Sequence, residues 1–252
     1  MSEPAEQAPR SGVLERAFAV LGAFSPDDVA LPLGVLAQRA SLPANTTLRL
    51  ARQLVGLGAL ERAEDGTYSI GVRLLEYAAL APRGHGLRRV ALPFMEDLLL
   101  VTRQHVQLTV REGQEAVLVE RLSAHEALPV LHTVGARTPL DATGAGVLLL
   151  AYAPVAVQEE ALRVFDPGRG DDTITTPAQL RRRLASVRRD GFISSEQHLP
   201  YFRAGVAAPV RDEHRDVVAA VSIVIPGGSP DLRPFDHAVQ TTARAISRAL
   251  QT

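Results

Sequence analysis

The sequence predicts an α+β protein in two parts, a small N-terminal unit of three helices and a hairpin and a larger domain in which strands are framed by helices. Three observations carry this reading. Between residues 13 and 57 apolar side chains recur at helical spacing, with clear stops between runs. Two short β-prone stretches then flank Asp65-Gly66, a dipeptide typical of two-residue hairpin turns. After the breaker-rich Pro82-Arg83-Gly84-His85-Gly86 the texture changes to alternating strands. With 252 residues, 46% of them hydrophobic, the chain can fill two ordinary cores or one large one.

The first helix is predicted from Val13 to Phe24, carrying Val13, Leu14, Ala17, Val20, Leu21 and Phe24 on one stripe, and Ser25-Pro26-Asp27-Asp28 ends it. A second runs from Pro32 to Arg39, with Leu33, Leu36 and Ala37 on one side. After the turn Ala40-Ser41-Leu42, Pro43 suits the first position of a third helix, where a missing N–H removes no hydrogen bond. In that helix Thr47, Leu50, Ala51, Leu54 and Leu57 form the inward set, leaving Ala44, Asn45, Thr46, Leu48, Arg49, Arg52 and Gln53 on the other side. Gly56 and Gly58 end it, ALERAEDGTYSIG reads as the hairpin, and VRLLEYAAL as a further helix from Val72 to Leu80. The expected organisation is a first domain over 11–72, a helical linker over 73–86 and a second domain over 87–252.

In the second domain a long helix from Leu87 to about Arg103 precedes strands at HVQLTVR, EAVLVERL and LPVLHTV. Helices follow at about Ala145 to Ala153, Val155 to Phe165 and Pro177 to Asp190. A strand near Gly191 to Ser195, two more at AGVAAPVR and VVAAVSIVI, and a closing helix from about Pro234 to Leu250 complete it.

Composition narrows the functions. The net charge of −1 supplies no global basic field, so any contact with DNA must be local. Cys is absent, which removes disulfides and thiolate metal sites and fits a reducing compartment. All 27 basic residues are Arg, which reads most simply as a coding bias. The longest apolar runs, GVLLLAYA and VVAAVSIVI, fall well short of the roughly 18 residues of a membrane span. MSEPAEQAPRSG has neither the charge nor the apolar stretch of a targeting peptide, so a cytoplasmic location is expected.

Three short helices followed by a hairpin form the pattern of a winged helix-turn-helix, whose third helix enters the major groove of DNA by its N-terminal turns. Asn pairs with adenine, Arg with guanine, and methyl groups of Thr or Leu touch thymine. The same Asn45, Thr46 and Thr47 would also serve merely to satisfy the open N–H groups of a helix start. Charge does not separate the two readings, since seven Arg face six acids between Arg10 and Arg73. Placement favours DNA: Arg39, Arg49, Arg52 and Arg62 are expected near one edge, with Asp27 and Asp28 on a distant turn.

SGVLERAFAVLGAF, LGVLAQRASLPANTTLRLARQLVGLGALER and DGTYSIGVRLLEYA, in that order, resemble the IclR family of bacterial transcriptional regulators. The resemblance continues through VGARTPLDATGAGVLLLA, VRRDGFISSEQ and GVAAPVRDEHRDVVAAVSI, and so covers nearly the whole chain from Ser11 to Leu250. It implies a winged helix-turn-helix joined by a helical linker to a GAF-like, antiparallel-sheet domain that binds an effector, with chains assembled as homodimers or homotetramers. By position in the family's motif, Asn45, Thr46, Leu48 and Arg49 face bases of a double-stranded operator, Arg52 lies beside them, and Arg62 with Thr67 falls in the wing. Many members carry Lys or Arg and then Ser-Thr after the Pro where this chain has Ala44 and then Asn45-Thr46, so no operator sequence carries over.

The family's pocket maps onto Ala142 to Ala145, with Thr143 and Gly144 at its centre, onto Ser194, Ser195 and Glu196, onto Gly205, and onto Ser222 to Val224. His132 is expected on a strand nearby. A helix starting near Gly144 offers free N–H groups and positive dipole to a small organic acid, and a glycine lets the ligand approach the backbone. Gly205 stands where Cys or Ser is usual, Val224 where a second Ser often follows Ser222, and Ser195 near a frequent Asp. These departures make the presumed pocket less polar and favour an aromatic carboxylate over a small oxoacid. Val224 facing the core is the plain alternative.

Other constellations carry little. The seven His, at 85, 105, 125, 132, 198, 214 and 237, include no pair three or four apart, so no helical metal pair is expected, and no cofactor is called for. Thr143-Gly144-Ala145-Gly146 lacks the Lys-Ser/Thr of a phosphate loop. Ser222, His198 and Asp141 make a triad only on paper, because no G-x-S-x-G elbow surrounds any Ser. RRRLASVRRD reads as a solvated helix face. The expected function is therefore a regulator rather than an enzyme, the rival being a ligand sensor that acts by protein contact.

Overall fold

The computed structural model describes residues 12–25, 27–124, 133–170, 173–197, 203–226 and 231–251. The chain divides into two compact units, one ending at Ala81 and one beginning at Pro82.

The first unit contains α1 (Val13–Leu21), β1 (Ala30–Leu31), α2 (Leu33–Arg39), α3 (Ala44–Gly56), β2 (Leu60–Arg62), β3 (Tyr68–Ile70) and α4 (Arg73–Ala79). Val20, Leu36, Leu50, Ala51, Leu60 and Tyr68 form its core. α1 stops three residues before the periodicity does, because Gly22 caps it and Ala23 folds back onto Val20. Leu57 does not join the inward set. It lies past the end of α3 and is 62% exposed, while its carbonyl accepts a hydrogen bond from Arg73 at 3.1 Å. Thr47 is fully buried, and its hydroxyl donates to the Pro43 carbonyl at 3.2 Å, which satisfies a polar group that would otherwise be orphaned.

The hairpin forms around Asp65-Gly66, but through a longer loop than the two-residue turn expected: the Ala63 N–H donates to the Thr67 carbonyl at 2.9 Å, the Gly66 N–H to the Ala63 carbonyl at 3.0 Å, and of the dipeptide only Gly66, at φ +86°, is left-handed. β1 was not expected. It pairs with β3 and makes the wing an antiparallel sheet of order β1-β3-β2. The wing's exit is tight: the Gly71 N–H donates to the Ala59 carbonyl at 2.9 Å, and a Cβ at Gly71 would lie 2.1 Å from the Gly58 carbonyl oxygen. Gly71→Ala must therefore move backbone, and it should destabilise this unit by about 2–4 kcal/mol. A drop in its melting transition of only a fraction of that size would contradict the packing described.

The second unit opens with a single turn of wide helix at Pro82–Gly86 and α5 (Leu87–Thr102). Strands β4 (His105–Glu112), β5 (Glu115–Leu122) and β6 (Arg137–Pro139) precede helices α6 (Gly144–Ala151), α7 (Val155–Arg163) and α8 (Pro177–Asp190). Then come β7 (Ile193–Gln197), β8 (Arg203–Arg211), β9 (Val217–Pro226) and α9 (Arg233–Ala249). The six strands form one antiparallel sheet of order β6-β5-β4-β9-β8-β7. Most of LPVLHTV, including His132, lies outside the described residues; among the described residues the strand at that edge is β6, which pairs with β5.

Period-two alternation sorts the sheet's two faces. Val106, Leu108, Val110, Val206, Val221 and Ile223 pack under α5 and α9. Ala116, Ala207, Ala220 and Ile193 pack on the opposite face with α6 and α8. A bulge between Leu108 and Thr109 re-aims β5: Leu118 pairs with Thr109 on the α6 side, whereas Glu120 pairs with Leu108 and forms an ion pair with Arg88 of α5. α6 is apolar all round, as a helix buried on every side must be.

Candidate functional site

In the first unit the N-terminus of α3 is left open. Its cap is Pro43, and no side chain caps it, so Asn45 and Thr46 are not spent on satisfying the helix start. Asn45, Arg49 and Arg52 are exposed and have no partner among the described residues, while Thr46 and Leu48 are half-buried. One face of α3 thus holds the core through Thr47, Leu50, Ala51 and Leu54, the other presents two guanidinium groups and an amide without a partner among the described residues, and the helix start adds the open N–H groups of Ala44, Asn45 and Thr46.

The wing is more constrained. The Thr67 hydroxyl donates to Asp65 at 2.7 Å and its N–H to the same oxygen at 2.9 Å, which holds the Asp65 carboxyl below its ordinary range. Arg62 lies over the Tyr68 ring, 5.7 Å from its centroid, and its tip reaches toward Gly66 at the turn. Arg39 does not belong to the free basic set. Its guanidinium donates to the Asp28 carboxylate at 2.7 Å and to the Ala23 carbonyl at 3.1 Å, and the Asp28 carboxyl is lowered by that bond. Asp28 was expected on a distant turn, but the loop after α1 folds back onto α2.

In the second unit a cavity of about 100 Å³ lies between the sheet and the start of α6, several times the ~10–15 Å³ that holds one water. Thr143, Gly144, Ala145, Ser195, Gly205, Ser222 and Val224 all line it. Val224 is therefore on the pocket side and not in the core beneath α5. Glu196 continues β7 beyond Ser195, and its side chain lies outside what the structure describes. Ser194 points the other way, its hydroxyl donating to Asp236 of α9 at 2.9 Å.

The Thr143 side chain caps α6 by accepting the Gly146 N–H at 3.0 Å. The N–H groups of Gly144 and Ala145 remain without a partner among the described residues. Ser195 sits over Gly144 so closely that a Cβ there would be 2.5 Å from its hydroxyl oxygen. Gly205 pairs with Val224 across β8 and β9, where a Cβ would be 2.7 Å from the Ile223 carbonyl, so the missing side chain is a condition of this strand pairing. Sequence reasoning missed Gln107, Thr109 and Asp141 as lining residues. The signal existed for the first two, polar positions alternating with Val106, Leu108 and Val110 on a buried strand.

Two buried polar atoms of cavity-lining residues have no partner among the described residues, the Ser222 hydroxyl and Oδ2 of Asp141. Burial pushes the Asp141 carboxyl above its ordinary range, against the opposing pull of backbone N–H groups and Arg169. A carboxyl raised in the folded state favours folding below its unfolded pKa, and that contribution is lost as pH rises through the folded value. Asp141→Asn should therefore be more stable than the parent chain at about pH 8, by about 1–3 kcal/mol, and should lose that advantage at about pH 3. Denaturant unfolding of both chains at the two pH values measures the difference; equal gains at both would show that ionisation is not the cause.

Elsewhere the side chains serve structure. His105 bonds Ser123 at 2.9 Å. Arg181, Arg183, Arg188 and Arg189 of α8 bond Glu159, the Ser194 carbonyl, the Ala151 carbonyl and Asp190, so most of that basic run is engaged within the unit. Among the described residues no group of His and acids is arranged to hold a metal, and no helix is long and apolar enough to cross a membrane.

Both units match known families. Residues 13–64 match the IclR helix-turn-helix domain and residues 80–248 the C-terminal domain of bacterial transcriptional regulator IclR. The HTH-type transcriptional repressor AllR of Escherichia coli K12 is 31% identical over 94% of this chain and 89% of its own. The glycerol operon regulatory protein of Streptomyces coelicolor is 31% identical over 94% and 95%. A crystal structure of an IclR homolog from Microbacterium hydrocarbonoxydans, complexed with 4-hydroxybenzoate, superposes with a TM-score of 0.88 at 37% identity, covering 95% of this chain and 99% of that one. The helix-turn-helix unit with its wing and the antiparallel-sheet domain are thus the two domains of a regulator rather than an enzyme, and the chain belongs to the IclR family of bacterial transcriptional regulators.

Proposed function

We propose that this regulator reads a double-stranded operator with the exposed face of α3, and that a small carboxylic acid with an apolar or aromatic body, bound beneath α6, changes its affinity for that operator. Asn45, Thr46, Leu48 and Arg49 face base edges and Arg52 the adjacent phosphates. Arg62 reaches a phosphate from the wing, whose tip Thr67 holds in shape through Asp65.

The observation that carries the acid is the Ser222 hydroxyl, buried without a partner among the described residues in a cavity that is also lined by Gly144 and Ala145, whose N–H groups have none there either. These are neutral donors, which suit a carboxylate without a formal counter-charge. Ala116, Leu118, Val147, Ile174 and Ile193 supply the apolar wall for a ring. The 4-hydroxybenzoate held by the Microbacterium homolog supports the same ligand class here.

The effect on DNA follows from linkage: an acid that favours one arrangement of two reading heads changes operator affinity by its differential affinity for the two states. Two heads require at least two chains. Leu14 and Phe18 on α1, exposed by 73% and 71%, supply an apolar stripe for a second copy in a homodimer or homotetramer. A thermal-shift panel of aromatic carboxylates and small oxoacids such as glyoxylate tests the ligand class. Stabilisation by aromatic acids is expected, and a response confined to the small oxoacids would overturn it.

A further inference from the structure

The same pocket contains a group that a carboxylate alone does not satisfy. Asp141 stands between β6 and α6, is buried, and lines the cavity. Its carboxylate is reached by its own backbone N–H and by that of Asp166, yet Oδ2 has no partner among the described residues. An ionised carboxylate is an acceptor only, so this oxygen requires a donor. Among the described residues the charged groups of the loop that packs on it are Asp166, which repels, and Arg169, whose guanidinium pairs with Asp166 at 3.3 Å. The strands and α6 bring Gln107, Thr109, Ser222 and Thr143, none of them charged. That loop also lies tightly against the Asp141 backbone: a Cβ at Gly170 would be 2.3 Å from the Asp141 carbonyl oxygen. The cavity that Asp141 lines is a side from which a donor can arrive.

We infer that Asp141 is the specificity-determining acceptor of the pocket, receiving a hydrogen bond from a hydroxyl of the effector, so that the site selects hydroxylated carboxylic acids over the same acids without the hydroxyl. The inference rests on the acid-binding reading above and adds the ligand's second polar group. Neutral donors take the carboxylate, and the lone acceptor takes the hydroxyl. Discrimination arises because the unhydroxylated acid would bury Asp141 still unpaired, a penalty that apolar contacts do not recover.

Calorimetric titration of the full chain with benzoate and with 2-, 3- and 4-hydroxybenzoate at about pH 8 tests this. At least one hydroxybenzoate should bind ~10–100-fold more tightly than benzoate, the range of one hydrogen bond to a charged group. Asp141→Leu, close in shape and apolar, should remove that ratio while still binding benzoate, and Asp141→Asn should reduce it in a chain that keeps a polar group. Equal binding of benzoate and all three hydroxybenzoates, or a ratio untouched by both variants, would overturn the role of Asp141 and leave acid binding standing. Failure of every one of these acids to bind would overturn the acid-binding reading itself.

Discussion

Replacing Arg49 and Arg52 together by Ala should lower operator affinity by ~10²-fold or more and reduce the slope of log affinity against log salt by about 1 for each phosphate that is no longer neutralised. The magnitude follows from a base contact worth about 1–3 kcal/mol together with a phosphate contact. Folding should be unaffected, because both guanidinium groups are exposed on the face of α3 opposite Leu50, Ala51 and Leu54. Arg39→Ala is the matched control. It breaks the bonds to Asp28 and Ala23 that tie the loop after α1 to α2, so it should cost stability and leave the salt slope in place. An unchanged slope in the Arg49/Arg52 double variant, measured by anisotropy on DNA from the upstream intergenic region, would remove α3 from the interface.

The second large effect is a pair of changes of opposite sign. Ser222 lies in β9 between Gln107 of β4 and Ala207 of β8, on the face toward α6, and its hydroxyl is buried without a partner among the described residues. Such a group costs about 1–3 kcal/mol in the free protein. Ser222→Ala should therefore raise the melting temperature without ligand and weaken binding of an aromatic acid by ~10-fold. Both effects are read in one thermal-shift titration. A variant that is less stable and binds the acid as before would mean that the hydroxyl belongs to the packing and not to the ligand.

Legibility followed the strength of the local pattern. α3 was clear because Pro43 marks its start and Thr47, Leu50, Ala51 and Leu54 return every three or four residues. Leu57 was misplaced because periodicity continues one step past the point where the helix ends. β1 escaped because Ala30-Leu31 is too short to alternate, and its partner Tyr68 is far away in sequence. β6, three residues ending in Pro, carries no strand signal of its own. The Arg39–Asp28 pair depends on a loop's return path, which composition does not encode. In the pocket, the segments carried by motif were found, whereas Asp141 looks like any loop acid until folding buries it beside α6.

The central claim is that acid binding in the second unit is coupled to DNA reading in the first. It is tested most directly by measuring operator affinity of the full chain by anisotropy, at fixed salt, without and with a saturating aromatic carboxylate that calorimetry shows to bind. A coupling of about 1–3 kcal/mol would change the affinity ~5–150-fold, and by reciprocity operator DNA would shift the acid's affinity by the same factor. An acid that saturates the pocket while operator affinity stays constant would contradict the account.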